Sequence, residues 1–243
     1  MSRELFLERA AEACPVYEPN FEVLQHAVQL CMTTISGPSG AGKDTLKRAV
    51  SVPAVASDTN RPPRLEHGKL EENGRHYYFR DHELARVWDD IEAGRYFQAA
   101  LPATGNSFYG YRARVCPDSG SVIFDLVPGE VQRLRRLPFQ QLHAAYVVPP
   151  DCRTGLNRLD SRGQLPAAER QQRMREACGS LADGLDDDVF QFIINDDLSV
   201  ATANLEKVAS DGGYDDTLQR TARNVGFSLL NELRRELGDP RPL

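Results

Sequence analysis

A glycine-rich segment with the sequence GPSGAGKDT, at residues 37–45, constrains the fold of this chain more than any other stretch. It directly follows the apolar-rich run of residues 30–36, and this order predicts a strand, a turn and then a helix from Asp44. Glycines let successive backbone N–H groups curve around an anionic group, and the positive end of the helix dipole faces the same point. Lys43 would supply a mobile positive charge for the outer phosphates of a nucleotide. The residues that we expect around those phosphates are Gly37, Ser39, Gly40, Ala41, Gly42, Lys43, Asp44 and Thr45.

One position of this segment departs from the usual pattern of such loops. The residue after the lysine commonly carries a hydroxyl group for Mg²⁺, and here it is Asp44, followed by Thr45. Two interpretations stay open. Either Asp44 ligates the ion, directly or through water, or Thr45 does so. A third candidate is Asp125, which ends the predicted strand 121–125. A carboxylate at the carboxyl end of a parallel strand commonly organises the water around Mg²⁺, although it can also cap a following helix.

The composition bears on the class of protein. Of 243 residues, 41% are hydrophobic and 26% are charged, which suffices for one α/β domain with extensions. The formal net charge of −6 argues against nucleic acid as a main partner. The five cysteines are scattered without a CxxC spacing, so we expect neither disulfides nor a zinc site. A long apolar run and a charged-then-apolar leader at Met1 are both missing, so we expect a cytoplasmic protein that does not span a membrane.

A second candidate phosphate site lies in the segment SDTNRPPR at residues 57–64. Arg61 and Arg64 are three residues apart, and two prolines between them restrict the backbone. Such a rigid pair of guanidinium groups is suited to a dianion, because little conformational entropy is lost when it closes on phosphate. Taken alone, a solvated proline-rich loop would be the slightly better interpretation.

The order of the motifs resembles that of the guanylate kinase family of nucleoside monophosphate kinases, over roughly residues 32–208. The segments that carry the resemblance are GPSGAGKDT (37–45), SDTNRPPR (57–64), NGRHY (73–77), GRYFQ (94–98), GNSFYG (105–110), VIFD (122–125), RLDSRG (158–163) and INDDL (194–198). The resemblance implies an α/β fold, the three-layer P-loop NTPase sandwich with a parallel core sheet, an acceptor-binding insertion and a helical lid. We therefore expect a guanylate-kinase-like domain at 30–210, with its acceptor-binding region at 57–112 and its lid at 153–175. Helical extensions would precede it at 1–29 and follow it at 211–243.

The resemblance also implies roles for single residues. Lys43, Arg158 and Arg173 would act on the transferring group, while Arg162 would border the adenine or phosphates of ATP and Asn195 would meet its base. In isolation, the arginine-rich segment 153–175 would be interpreted as a basic amphipathic hairpin. The residues implied for the acceptor are Ser57, Arg61, Arg64, Tyr77, Gln98, Tyr109, Tyr111 and Asp125.

At the positions implied for base recognition, the chain differs from the family pattern. The family pattern has a glutamate at the position of Gln98, which accepts from two N–H donors of guanine. A glutamine has one acceptor and one donor there, and each charged hydrogen bond lost is worth about 1.5–3 kcal/mol. Tyr111 stands where the family pattern has a small residue, whereas Ser57 matches the pattern.

The resemblance implies transfer of a phosphoryl group from ATP, with Mg²⁺, to a small acceptor, with GMP or dGMP as the leading candidate. Another nucleoside monophosphate would suit Gln98. The GPSGAGKD segment also resembles ribose 1,5-bisphosphate phosphokinases, so a phosphorylated sugar stays open as acceptor. A non-catalytic module that binds phosphorylated protein segments is the alternative from another class, although such modules have degraded phosphate loops.

Hydrophobic periodicity predicts further elements of structure. Helices are expected at 4–14, from a cap at Asn20 to residue 28, from Asp151, around Arg173, at 199–210 and at 216–237. Strands are expected at 52–56, 76–79, 144–148 and 189–194. The last helix has an apolar stripe that could pack on the core or on another subunit, so a homodimer stays open.

Overall fold

The computed structural model describes residues 1–66, 69–102, 106–161 and 166–238. The helices are α1 (Arg3–Ala13), α2 (Phe21–Ala27), α3 (Lys43–Ala49), α4 (Leu84–Glu92), α5 (Pro128–Leu134), α6 (Cys152–Asp160), α7 (Ala167–Asp186), α8 (Leu198–Asp211) and α9 (Asp216–Glu236). The strands are β1 (Leu30–Ser36), β2 (Asp58–Thr59), β3 (Leu65–Glu66), β4 (Lys69–Leu70), β5 (Tyr78–Phe79), β6 (Tyr96–Ala100), β7 (Tyr109–Arg112), β8 (Gly120–Asp125), β9 (Gln141–Val148) and β10 (Phe190–Ile194).

The core sheet has the strand order β10-β9-β1-β8. Strands β9 and β10 run parallel, with Phe190 opposite Ala144 and Ile194 opposite Val148. The strands read as apolar runs, and β1 and β9 are buried along most of their length, as expected for a sheet covered on both faces. The phosphate-loop segment follows the carboxyl end of β1, which is where ligands bind in open parallel sheets.

Contacts within the chain divide it into two compact units. The first unit comprises Met1–Cys31, Val55–Phe124 and Gln132–Gln141, and the second comprises Met32–Ala54, Asp125–Val131 and Leu142–Leu243. The first unit contains a mixed sheet in the order β5-β2-β7-β6, in which β7 runs antiparallel to both of its neighbours.

Helix α1, in the predicted N-terminal extension, is part of the core of the first unit. Its Phe6 is fully buried and meets Phe108 edge to face, with ring centroids 5.7 Å apart. The same core includes Leu84 and Val87 of α4. The next helix, α2, is capped as the sequence predicts, because the side chain of Asn20 accepts a hydrogen bond from Val23 N.

Helix α9, in the predicted C-terminal extension, packs within the second unit against α7 and β10. Leu229, Leu230 and Leu233 of its predicted apolar stripe are buried, whereas Leu218 is exposed. Gly226 allows the close approach, because a Cβ there would stand 3.1 Å from the ring of Phe192. The core of this unit therefore covers most of the stripe.

The strand predicted at 52–56 is wrong. Residues 52–56, all of which are described, form a single-residue bridge at Ala54, and the strand nearby is β2, which begins only at Asp58. Pro53 has no N–H group to donate to a ladder, so apolar character alone did not make this segment a strand. In the described ranges, no helix combines the length and apolar character needed to cross a bilayer.

Candidate active site

The glycine-rich loop in the second unit has the backbone that its sequence predicts. Gly37, Gly40 and Gly42 have φ values of 144°, 87° and 85°, a region that favours glycine. Gly42 immediately precedes α3, and a Cβ on it would collide with Nδ2 of Asn195. The positive φ and this contact both disfavour a side chain at Gly42.

Asn195, predicted to meet the base of ATP, and Arg158, predicted to act on the transferring group, both lie near this loop. Asn195, which follows β10, donates from Nδ2 to Ala41 O at 2.8 Å, and its own carbonyl oxygen accepts from Arg158 Nη1 at 2.9 Å. Arg158 is carried by α6, whose first turn is capped by the carboxylate of Asp151. These contacts bring Asn195 and Arg158 beside the phosphate loop.

Lys43 lies folded over the loop. Its Nζ donates to the carbonyl oxygen of Gly37 at 2.7 Å and reaches that of Pro38 at 3.5 Å. The ammonium group is thus held beside the loop by neutral carbonyl groups, and it can exchange them for anionic phosphate oxygens.

The three candidate metal ligands differ in their surroundings. Asp44 and Asp125 both meet the ammonium group of Lys47, with Nζ 2.9 Å from Asp44 Oδ1 and 2.9 Å from Asp125 Oδ2. Thr45, in contrast, is exposed. Sequence reasoning missed Lys47, and its position one turn after Lys43 in the predicted helix was the available signal.

Of the other two arginines predicted for the lid, the structure describes Arg173 but not Arg162. Arg173 of α7 forms an ion pair with Glu169 one turn earlier, with Nη2 3.2 Å from Oε1. Together with Ser39 of the loop, Arg173 lines a mainly apolar cavity beside α6 and α9. Arg162 lies outside the described residues.

In the first unit, Arg61 is paired with Glu71. The two terminal nitrogens of Arg61 lie 2.6 and 2.7 Å from the two oxygens of Glu71. The guanidinium carbon also lies 4.6 Å from the centroid of the Tyr77 ring, and that ring is 5.7 Å from the ring of Tyr109. The structure therefore brings Arg61, Tyr77 and Tyr109 together, as the sequence predicts for a phosphate site.

Arg64 is placed differently from Arg61. It is exposed, and its backbone N–H donates to Glu71 at 2.8 Å. Burial raises the pKa of Glu71, but the hydrogen bonds from Arg61 and Arg64 outweigh it and hold the pKa below its ordinary value of 4.5. Glu71 is thus an ionised anchor for the segment that carries both arginines, and the sequence prediction did not include it.

The residues predicted for base recognition lie on adjacent strands. Gln98 of β6 is opposite Tyr111 of β7, and both are buried. The ring of Tyr111 stacks on Phe124 with centroids 3.9 Å apart and an interplanar angle of 7°. Ser57 is also buried, and its carbonyl oxygen accepts from Tyr78 N.

A buried ionic cluster connects the strands that carry these residues. Asp58 of β2 accepts from Arg112 of β7 at 2.5 Å and from the Tyr96 hydroxyl of β6 at 2.8 Å. Arg112 also pairs with Asp90 of α4 at 2.9 Å. Each of these four residues is at most 5% exposed. The sequence prediction assigned no role to these four residues, although Asp58 and Tyr96 lie within the segments 57–64 and 94–98, because only packing brings them together.

Comparisons with known proteins identify the family of this chain. The family model described as guanylate kinase matches residues 31–211. Guanylate kinase 1 of Oryza sativa subsp. japonica is 31% identical over 221 residues, a region that covers 84% of this chain and 55% of the rice protein. Guanylate kinase of Rhodopseudomonas palustris (strain HaA2) is 29% identical over 216 residues, covering 85% of this chain and 91% of that protein. The chain thus spans about half the length of the rice relative.

A solved structure shows the same fold. The crystal structure of guanylate kinase from Anaplasma phagocytophilum aligns with a TM-score of 0.52 over 89% of this chain and 98% of that chain, at 17% identity. The predicted α/β fold of the P-loop type with a parallel core sheet is therefore confirmed. The matches favour a guanylate kinase over the ribose 1,5-bisphosphate phosphokinase and the non-catalytic module that the sequence left open. Because the family model covers most of its length, the chain belongs to the guanylate kinase family of nucleoside monophosphate kinases.

Proposed function

We propose that the protein transfers the γ-phosphoryl group of ATP to the phosphate of GMP or dGMP. The observation that carries this proposal is the phosphate loop, because Lys43, Asn195 and Arg158 all converge on it. An oxygen of the acceptor phosphate attacks the γ-phosphorus, the bond from that phosphorus to the bridging oxygen breaks, and ADP leaves with the electron pair. No side-chain nucleophile is needed, so the residues act by positioning and by charge.

In the second unit, we assign the donor nucleotide to the loop and its surroundings. Backbone N–H groups of Gly40 and Gly42 and the ammonium group of Lys43 would bind the phosphates. Arg158 and Arg173 would stabilise the charge that develops on the transferring group, and Asn195 would meet the base of ATP. Its side chain also holds the loop at Ala41.

In the first unit, we assign the acceptor phosphate to Arg61 and Arg64 with the phenol groups of Tyr77 and Tyr109. Glu71 fixes the orientation of Arg61, so the guanidinium group would act as a rigid donor. Arg64 carries the more accessible charge of the two. The base would lie against Gln98, Tyr111 and Ser57.

The carboxylates suit the magnesium ion of the ATP complex. Asp44 and Asp125 each place an oxygen 2.9 Å from the same cationic nitrogen, so both can face one cation, and oxygen ligands are those that Mg²⁺ prefers. When bound, the ion would neutralise charge on the phosphates. We assign Asp44 and Asp125 as its ligands, directly or through water, in preference to the exposed Thr45.

Small nucleotides are the proposed partners, and the net charge of −6 supports them over nucleic acid. We place the reaction in the cytoplasm, where ATP is available. The apolar stripe of α9 suggested a homodimer, but residues of the same chain cover most of it, so the stripe does not require a second subunit.

The experiment that tests the proposal is ATP consumption by the purified protein, with Mg²⁺, against a panel of acceptors. The panel contains GMP, dGMP, AMP, other nucleoside monophosphates and ribose 1,5-bisphosphate. We expect GMP or dGMP to give the highest kcat/KM. A preference for AMP or for the sugar would overturn the acceptor, and the absence of turnover with every member would overturn the kinase.

Two variants test the residues assigned to ATP and to the acceptor. Lys43→Ala should abolish turnover and weaken ATP binding, and a variant that keeps full activity without binding ATP would contradict the role of the loop. Arg61→Ala should raise the KM of the acceptor far more than that of ATP. Equal changes in both KM values would contradict the assignment of Arg61.

A further inference from the structure

Lys47 has no role in the proposed reaction, although it contacts two of the residues assigned to it. It lies on α3, three residues after Asp44, and its ammonium group stands between two carboxylates from segments far apart in the sequence. Nζ is 2.9 Å from Asp44 Oδ1 and 2.9 Å from Asp125 Oδ2. These are the two carboxylates assigned above to the magnesium ion.

The three groups are shielded enough for their charges to matter. The side chain of Lys47 is 18% exposed, and those of Asp44 and Asp125 are 38% and 27% exposed. Two carboxylates that face the same point repel each other, and this repulsion grows as water is excluded. The positive charge of Lys47, which lies between the two carboxylates, offsets this repulsion.

A divalent cation would need the same carboxylates. Mg²⁺ and Mn²⁺ both prefer carboxylate oxygens, and they would meet two carboxylates whose negative charge the ammonium group of Lys47 already offsets in part. We propose that Lys47 is a built-in counter-cation that competes with the divalent ion for Asp44 and Asp125. It thereby sets the metal concentration at which the site fills, an inference that rests on the proposed function for its role in catalysis.

The test measures metal binding by the full chain without nucleotide. Mn²⁺ is the probe, because the electron paramagnetic resonance signal of free Mn²⁺ reports how much ion is bound. Lys47→Met keeps most of the length of the side chain and removes its charge, and we expect this variant to bind Mn²⁺ about tenfold more tightly than the unaltered protein. The matched control is Lys207→Met, on the surface of α8, which should leave the affinity within about twofold.

A second pair of variants identifies the ligands. The gain in affinity should be lost when Asp125→Asn is added to Lys47→Met, and likewise with Asp44→Asn. If Lys47→Met binds Mn²⁺ no more tightly than Lys207→Met does, or if the gain survives both Asn substitutions, the proposal is overturned. Far-ultraviolet circular dichroism of each variant establishes that a weak signal does not come from an unfolded protein.

Failure of this inference can be told apart from failure of the proposed function. An unchanged Mn²⁺ affinity in a protein that turns over GMP would remove the role of Lys47 and leave the kinase intact. A tightened affinity in a protein that phosphorylates none of the acceptors would support the competition and remove the kinase. With both intact, the Mg²⁺ concentration for half-maximal activity should be lower in Lys47→Met.

Discussion

Glu71 accepts hydrogen bonds from both terminal nitrogens of Arg61, at 2.6 and 2.7 Å, and the two side chains are only 4% and 7% exposed. The pair forms one side of the proposed acceptor site. An arginine that would otherwise be a flexible charge is held against Tyr77 and Phe79, whose ring centroids lie 4.6 and 5.5 Å from its guanidinium carbon. These contacts therefore fix the orientation of Arg61 within the folded protein.

Breaking this pair should destabilise the protein. Glu71→Gln keeps the shape of the side chain but leaves the buried charge of Arg61 without its counter-ion, and we expect the free energy of unfolding to fall by about 3–5 kcal/mol. Denaturant-induced unfolding measures the change. The control is Glu72→Gln, in an ion pair with Arg75 whose side chains are 61% and 56% exposed, which should cost less than about 1 kcal/mol. Similar losses in the two variants would contradict the importance of burial.

The same pair should respond to pH. The pKa of Glu71 is below its ordinary value of 4.5 in the folded protein, because the hydrogen bonds from Arg61 and Arg64 outweigh the effect of burial. Its contribution to stability is thus present above about pH 4.5 and is lost as the pH falls through the lowered pKa. The difference in unfolding free energy between the unaltered protein and Glu71→Gln should shrink below pH 4.5. A difference that grows on acidification would contradict the assignment.

The hydroxyl of Tyr96 should contribute more to the free energy of unfolding than the hydroxyl of a tyrosine with a neutral partner. Its hydroxyl donates to Asp58 at 2.8 Å and accepts from Arg112 at 2.8 Å, and burial together with Asp58 raises its pKa, so it stays a donor. Tyr96→Phe should lower the free energy of unfolding by about 2–3 kcal/mol. Tyr146→Phe removes a hydroxyl that lies 2.9 Å from the neutral hydroxyl of Ser180 in α7, and it should cost about 1 kcal/mol. Calorimetry of both variants checks the order, and the reverse order would contradict it.

Gln98 should control the choice of base. In Gln98→Glu the side chain can accept from two N–H donors of guanine, so we expect the kcat/KM ratio of GMP to AMP to rise about tenfold. Steady-state kinetics with both nucleotides measure the ratio. Gln25→Glu makes the same change of charge on an exposed residue of α2 and should leave the ratio unaltered. A ratio that stays constant or falls in Gln98→Glu would place base recognition elsewhere.

The backbone of the phosphate loop should not tolerate a side chain at Gly42. Its φ is 85° and a Cβ would collide with Nδ2 of Asn195, so Gly42→Ala should move the loop and weaken ATP binding by about tenfold or more. Gly179→Ala is the control, because a Cβ there in α7 meets nothing within 4 Å and should stabilise the helix by about 0.5–1 kcal/mol. Isothermal titration with ATP compares the two. Normal affinity in Gly42→Ala would contradict the tight fit of the loop.

Much of the fold followed from short stretches of sequence. Strand β1, the glycine turn and α3 were predicted because the glycines permit a backbone that other residues avoid, and the caps Asn20 and Asp151 act on N–H groups three residues away. The strand at 52–56 was predicted wrongly because apolar character does not reveal how many backbone groups will pair: Val55 N donates to Ile123 O of β8, but the segment forms no continuous ladder. Local patterns report what a few consecutive residues can do.

The pairing of distant side chains was decided by tertiary structure alone. Lys47 meets Asp125 across 78 positions of the chain, and Tyr96 meets Asp58 across 38. The sequence by itself predicted a glycine-rich loop after a buried strand, and it named the arginines and tyrosines that we propose for phosphate binding. The packing of strands and helices decided the rest. It determined which arginine is neutralised, which carboxylates share a lysine and which residues cover α9. Packing energies arise between residues that no local pattern connects.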